Sequence, residues 1–206
     1  MPQLSSDRIV TTARDLADRE GLDAVTLRRL AKELGVHVTS LYNHVSTRDA
    51  IVDGIIALLV SDADLPEHPR NWEEWVREFV DAVGAIAAAH PGAFAALERR
   101  PVQGERATAA FEVGLAAFAK AGLSPAEAYS ALKATAHVAL AIGLERALAT
   151  RGETPETAID LLPADRFPHV RAMHDVDDPE DSWAFSVETL VAGLHAQIRR
   201  AKRHPS

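Results

Sequence analysis

Thr39, Ser40, Tyr42, Asn43 and His44 fall within six consecutive positions of the run LGVHVTSLYNHVSTR, residues 34–48. All are short or planar hydrogen-bonding groups, and the intervening Leu41 is apolar. On a helix whose underside holds Leu41 and Val45, the five polar residues share the outer face. Such donors and acceptors suit base edges and phosphates in a DNA major groove. A second concentration of chemistry lies in HVRAMHDVDDPEDS (169–182), where His174, Asp175, Asp177 and Asp178 offer metal-ligating atoms. Its spacing is irregular, and Asp178-Pro179 already serves as a helix start, so it reads as a solvated loop and no metal site is expected. No Ser-His-Asp order, phosphate loop or spaced carboxylate pair stands out. The expectation is therefore not an enzyme, with no cofactor.

The polar face needs elements to position it. The chain has 206 residues, 47% of them apolar, with abundant alanine and few aromatics, which favours helix over sheet. There is no cysteine, which excludes disulfides, thiol catalysis and thiolate zinc sites. No apolar stretch is long enough to span a bilayer and none resembles a signal peptide, so a cytoplasmic protein without a membrane partner is expected. The net charge of −8 sits outside the first 50 residues, where seven Arg or Lys meet seven Asp or Glu. A neutral segment can still touch phosphates, while the acidic remainder opposes non-specific DNA binding.

Helix punctuation is dense. Ser5-Ser6-Asp7 caps a first helix with Ile9, Ala13, Leu16 and Ala17 on one face, closed by Gly21. Thr26 caps a second, with Leu27, Leu30, Ala31 and Leu34 inward, closed by Gly35. A third covers about 39–45. Ser46 or Thr47 caps a fourth over 48–60, striped by Ile51, Ile55, Leu58 and Leu59. The segment 61–71, with two prolines, reads as a linker. Beyond it, Asn71 and Glu74 propose a capping box for a helix burying Trp72, Trp75, Val76, Phe79, Val80, Val83 and Ile86. His90-Pro91-Gly92 stops it, and a short helix carries Phe94 and Leu97. Another spans Glu105 to Ala121 with Phe111, Leu115 and Phe118 on one face. Ser124-Pro125-Ala126-Glu127 opens a helix reaching Ala149, apolar all round from Ala134 to Leu144. A helix apolar all round must be covered all round, and one chain of this size has few elements to do that. The last helix starts at Asp178-Pro179 and stripes Trp183, Val187, Leu190, Val191, Leu194 and Ile198.

The spacing of Ala31, Gly35 and Leu41 is that of a helix-turn-helix: a small residue at the crossing, a left-handed turn, an anchor beneath the second helix. Residues 26–55, TLRRLAKELGVHVTSLYNHVSTRDAIVDGI, resemble the DNA-binding segment of the tetracycline-repressor family of bacterial transcription regulators. The shared pattern is Leu-x-x-Leu-Ala-x-x-Leu-Gly-Val followed by Leu-Tyr-x-His-Val and a nearby basic residue. Leu-Tyr-Asn-His-Val and Arg-Phe-Pro-His at 166–169 look closest to the subgroup that gives the family its name.

The resemblance implies an all-α protein: an N-terminal three-helix helix-turn-helix DNA-binding domain (1–48), and a C-terminal helical bundle for ligand binding and dimerisation (49–206), joined by the helix 48–60. It implies a transcriptional regulator, a repressor released from a palindromic double-stranded operator by a small, mostly apolar effector. By position, Arg28 reaches a base or phosphate. Val38, Thr39 and Ser40 open the recognition helix, Asn43 reads a base, and Tyr42, His44 and Arg48 grip phosphates. Val38 departs from relatives with a polar residue there, and with His37 it stands at the groove entrance. The effector lining is expected from Trp75, Phe79, Val83, Phe94, Phe111, Leu115, Phe118, His137 and Ala141, with His137 as a polar handle or a satisfied core residue. A four-helix homodimer interface is expected from Leu132, Ala136, Leu140 and Gly143 with Val187, Leu190, Val191 and Leu194. The alternative is an all-helical ligand-binding or scaffolding dimer whose N-terminal unit docks protein rather than DNA.

Overall fold

The computed structural model describes residues 4–152, 162–173 and 179–203, and the described residues are helical without a strand. The expected caps start the expected helices. Ser5 accepts from Arg8 N to begin α1 (Ser6–Glu20), Thr26 from Arg29 N for α2 (Leu27–Leu34), and Thr47 from Ala50 N for α4 (Arg48–Asp62). Between α1 and α2 lies a single 3-10 turn, Leu22–Ala24. Gly35 is left-handed at φ 66°, the conformation that lets α2 end and the chain reverse at once.

The third helix, α3 (Val38–Tyr42), is shorter than 39–45 and begins one residue earlier. Thr47 must be extended (φ −145°) to cap α4, so the chain has to leave helical geometry across Asn43 to Ser46. Val45 plugs that turn into the core. On α4, Leu58 is only partly covered, whereas Val52, Ile56 and Val60 join Ile51, Ile55 and Leu59. That helix is buried on two sides because it packs against α1 and also against α6 and α7.

The supposed linker is not loose. Ala63, Leu65 and Pro66 are buried over the body. Asn71 caps α5 (Trp72–Ala89), but Glu74 bonds to Arg70 rather than back to Asn71, so half of the expected box forms. The guanidinium of Arg70 holds the Glu74 carboxyl below its ordinary range. After α6 (Ala95–Arg99) comes α7 (Glu105–Ala121). Ser124 and Glu127 complete a reciprocal box at the start of α8 (Pro125–Arg151), which outruns the expected end. A short α9 (Pro168–Met173), not foreseen, precedes α10 (Pro179–Arg203). The metal-like residues His174, Asp175, Asp177 and Asp178 lie outside the described residues.

One apolar cluster runs without a break from Ile9 to Ile198, so the N-terminal unit and the body share a core through α4. α5 and α8 form its centre. Trp75 is fully buried, stacked on Phe79 at 5.0 Å, and its indole N–H donates to Ala110 O. No described helix is long and apolar enough to cross a membrane.

Candidate functional site

On α3, Leu41 is fully buried while Thr39, Tyr42, Asn43 and His44 are exposed, Tyr42 at 54%. Ser40 is half-covered. The expected polar face therefore stands outward on its apolar anchor. Thr39 Oγ1 lies 2.9 Å from His37 Nδ1, which fixes both side chains at the start of the helix. Val38 is half-buried and packs against the core, so it anchors α3 more than it faces outward.

Arg48 is a correction. It turns inward: its Nε donates to Val25 O and its Nη2 to Leu22 O, both at 2.9 Å, with Asp23 at 3.7 Å. Those bonds brace the 3-10 turn and commit two of the guanidinium's N–H donors inward. Other arginines of the unit are also committed. Arg14 pairs with Asp15, Arg19 with Glu33, and Arg29 with both Glu20 and Glu33. Arg29 holds the Glu20 carboxyl below its ordinary value. Arg28, one position earlier on α2, is exposed and has no ion-pair partner among the described residues. Arg28 is thus a cation without an ion pair among the described residues, on the helix that precedes α3.

In the body, an apolar cavity of about 80 Å³ lies among α4, α5, α7 and α8. Phe79, Val83 and Phe111 line it as expected. Ala136 and Leu140, expected at the dimer interface, line it instead. The remaining walls are Val60 from α4, Leu65, Ile86, Leu97, Val102, Ala107 and Ala110. Trp75, Phe94 and Phe118 are plain core, fully buried, and Leu115 is half-buried outside the cavity lining. His137 and Ala141 are exposed and are not among the cavity-lining residues. A continuous apolar run carries no phase, so periodicity could not say which way they point.

The interface expectation also needs correction. Leu132, Val191 and Leu194 are buried within the single chain. Gly143 faces inward too: a Cβ there would stand 2.3 Å from the Phe94 ring. Val187 and Leu190 are half-buried. Apolar groups left outward on α8 and α10 include Tyr129 at 57%, Ala141 and Phe185 at 73%.

Between cavity and α3 lies a polar seam. Asp18 on α1 accepts from Gly92 N and Ala93 N, and its other oxygen meets His90 Nδ1 at 2.8 Å. Arg99 pairs with Asp23 at 2.6 Å, and Arg100 grips Asp49 and Asp53 on α4. Leu97 and Val102, which line the cavity, flank those two arginines in the chain. Nothing in the sequence pairs Arg99 and Arg100 with acids some 50 or more residues away. Among the described residues, no group of three His, Asp or Glu stands where it could hold a metal.

Comparison with known proteins follows the same division. Residues 9–55 match the family pattern of bacterial regulatory proteins, tetR family. Residues 65–198 match the tetracyclin repressor-like C-terminal domain. An HTH-type transcriptional regulator of Saccharopolyspora erythraea is 36% identical over 131 residues, 63% of this chain and 56% of that protein. The match thus spans little more than half the length of that relative. The tetracycline repressor protein class D of Escherichia coli is 26% identical over 207 residues, covering 96% of this chain and 92% of that one. Apo ActR from Streptomyces coelicolor superposes with a TM-score of 0.81 at 28% identity, over 98% of this chain and 99% of that one. ActR has also been solved in complex with actinorhodin.

Proposed function

The chain belongs to the tetR family of bacterial regulatory proteins, and on that premise we propose a regulator that occupies a palindromic operator as a homodimer and is released by a small, mostly apolar molecule. The observation that carries this reading is an apolar cavity whose walls Leu97 and Val102 flank Arg99 and Arg100, which pair with Asp23 of the 3-10 turn and with Asp49 and Asp53 of α4, beside a unit with an exposed polar helix. Arg28, Thr39, Ser40 and Asn43 meet base edges, and Tyr42 and His44 hold phosphates. Arg48 acts indirectly, by fixing the 3-10 turn against α4.

A cavity of about 80 Å³ is several times smaller than ordinary ligand pockets, which run to roughly 300 Å³ and more. An effector can enter only by parting the walls. Leu97 and Val102 are the walls next to the arginine seam, so opening displaces Arg99 and Arg100 and shifts α4 and the turn they hold. The form with the larger cavity is then the form with altered recognition helices, and the effector selects it. A coupling of about 1–3 kcal/mol is enough for such regulation.

One recognition helix with a few phosphate contacts binds weakly, and two about 34 Å apart on a palindrome supply specific affinity. The pairing surface is the outward row Tyr129, His137 and Ala141 on α8 together with Phe185 on α10. Sedimentation at micromolar concentration is expected to give two chains per particle, and a monomer would overturn the pairing. A gel shift against DNA upstream of the protein's own gene tests the rest. Binding should weaken steeply as salt rises, because Lys, Arg and His contacts displace counterions from phosphate. Failure to select any palindrome from random sequence would remove the operator from this account.

A further inference from the structure

Arg146, on α8 and outside the lining of the apolar cavity, is held in an unusual setting. Its Nε is sealed from solvent without a hydrogen-bond partner, and among the described residues no carboxylate pairs with its guanidinium. The guanidinium carbon lies 4.7 Å from the centre of the Trp183 ring on α10. Trp183 is itself fixed, since its indole N–H donates to Glu145 Oε2 at 2.6 Å. On the other side, α5 presents Gly84: a Cβ there would fall 2.3 Å from Arg146 Nη1. Glycine inside a helix is unfavourable, and here its use is to admit a cation between two helices and an indole.

Arg146 and Trp183 open onto a groove of about 320 Å³ between α5, α8 and α10, with Val80, Ile142 and Val187 as apolar walls. Arg146 is half-buried, with its Nε sealed and the rest of the guanidinium lining the groove, where an anion can supply an acceptor. We propose that this groove is a second ligand site, separate from the apolar cavity, that takes a small organic monocarboxylate: its carboxylate meets Arg146 and its apolar body lies along Val80, Ile142 and Val187.

The surrounding charges set the class. Arg77 and Glu188 on the rim neutralise each other through two hydrogen bonds, and Arg77 keeps the Glu188 carboxyl below its ordinary range. Glu180 has an interaction of its own. Asp81, within the field of Arg77, makes no ion pair among the described residues. It opposes a second negative charge in the groove, so phosphate esters and dicarboxylates are poor occupants. A planar fork with one free edge suits a single carboxylate in two-point contact.

The test uses the full chain and two probes of one shape, 1-naphthoate and neutral 1-naphthalenemethanol, with inorganic phosphate as a third. Arginine Nε–H resonances report on the site, and Arg146→Lys identifies the signal. The expected result is that 1-naphthoate moves the Arg146 signal, that the neutral analogue binds about tenfold or more weakly, and that Arg146→Met loses the difference. Ala136→Leu, which fills the apolar cavity, should leave naphthoate binding unchanged, so this site and the effector reading fail separately. Equal binding of the two naphthalenes, unchanged binding in a folded Arg146→Met, or an equal response to phosphate would overturn the proposal. So would an Arg146→Met variant that keeps naphthoate binding but loses its oligomeric state, since the missing acid would then belong to a second copy.

Discussion

The N-terminal unit and the body place polarity in opposite ways. The unit buries apolar anchors and turns its hydrogen-bonding groups out on a helix of five residues. The body holds an apolar cavity against one face of α5 and α8, and an arginine against an indole at another. The first arrangement is local, set by residues within a few positions of one another. The second depends on which faces of long helices meet, and so on contacts between distant segments. The difference teaches where function is written: recognition in a short string, regulation in the packing.

Leu41 and Tyr42 test the comparison most sharply, being neighbours on one helix with opposite faces. Leu41→Ala should destabilise the chain by about 2–5 kcal/mol, seen as a lowered midpoint in urea. Tyr42→Ala should change stability by no more than about 0.5 kcal/mol in the same titration, yet weaken operator binding about tenfold or more in fluorescence anisotropy. If both variants lose stability alike, α3 is structural and the outward face has no separate role. Arg28→Ala should resemble Tyr42→Ala, and Arg48→Ala should instead lower stability along with binding, because its hydrogen bonds go to Val25 and Leu22.

In the body, Ala136→Leu fills the cavity and should raise stability by about 0.5–2 kcal/mol in a thermal melt. Operator affinity should hold while release by the effector is lost. Arg100→Ala should leave the cavity intact and blunt release about fivefold or more, read as the effector concentration needed to free labelled operator. Unchanged release in Arg100→Ala would separate the two regions.

The smallest effect concerns acid. Arg99 holds the Asp23 carboxyl below its ordinary value, first by hydrogen bonding and then by charge. A depressed carboxyl contributes stability above its unfolded pKa and loses it as pH falls through the lower folded value. The difference in melting temperature between the protein and Asp23→Asn should therefore be flat above about pH 5 and close below about pH 4. A difference that grows on acidification would contradict the pairing.

How much of this was legible in the residues follows the same line. Ser5, Thr26, Thr47 and Ser124 announce their helices because a cap needs only its own side chain and an N–H three residues on. The α3 face was legible for the same reason, since Leu41 fixes its phase. The ends of α3 were not, because the need to extend Thr47 for the next helix competes with continuing the turn. Arg48 was misjudged because a cation near DNA and a cation bracing two carbonyls look alike in sequence. His137, Ala136, Leu140 and Gly143 were misplaced by one cause: an uninterrupted apolar helix has no inside until its neighbours are known. Arg146 drew no notice, since an arginine after Glu145 reads as a solvated pair, and only Gly84 and Trp183 reveal otherwise.

The seam of Asp18, Asp23, Asp49 and Asp53 with His90, Arg99 and Arg100 also bears on exchange of parts between relatives. A graft that joins this body to another protein's reading head at residue 48 would sever Asp18 and Asp23 from their partners while keeping Asp49 and Asp53. Such a hybrid would fold and still grip its operator, but would be deaf to the effector. Carrying the two aspartates along with the new head is the transplant that keeps the wire attached.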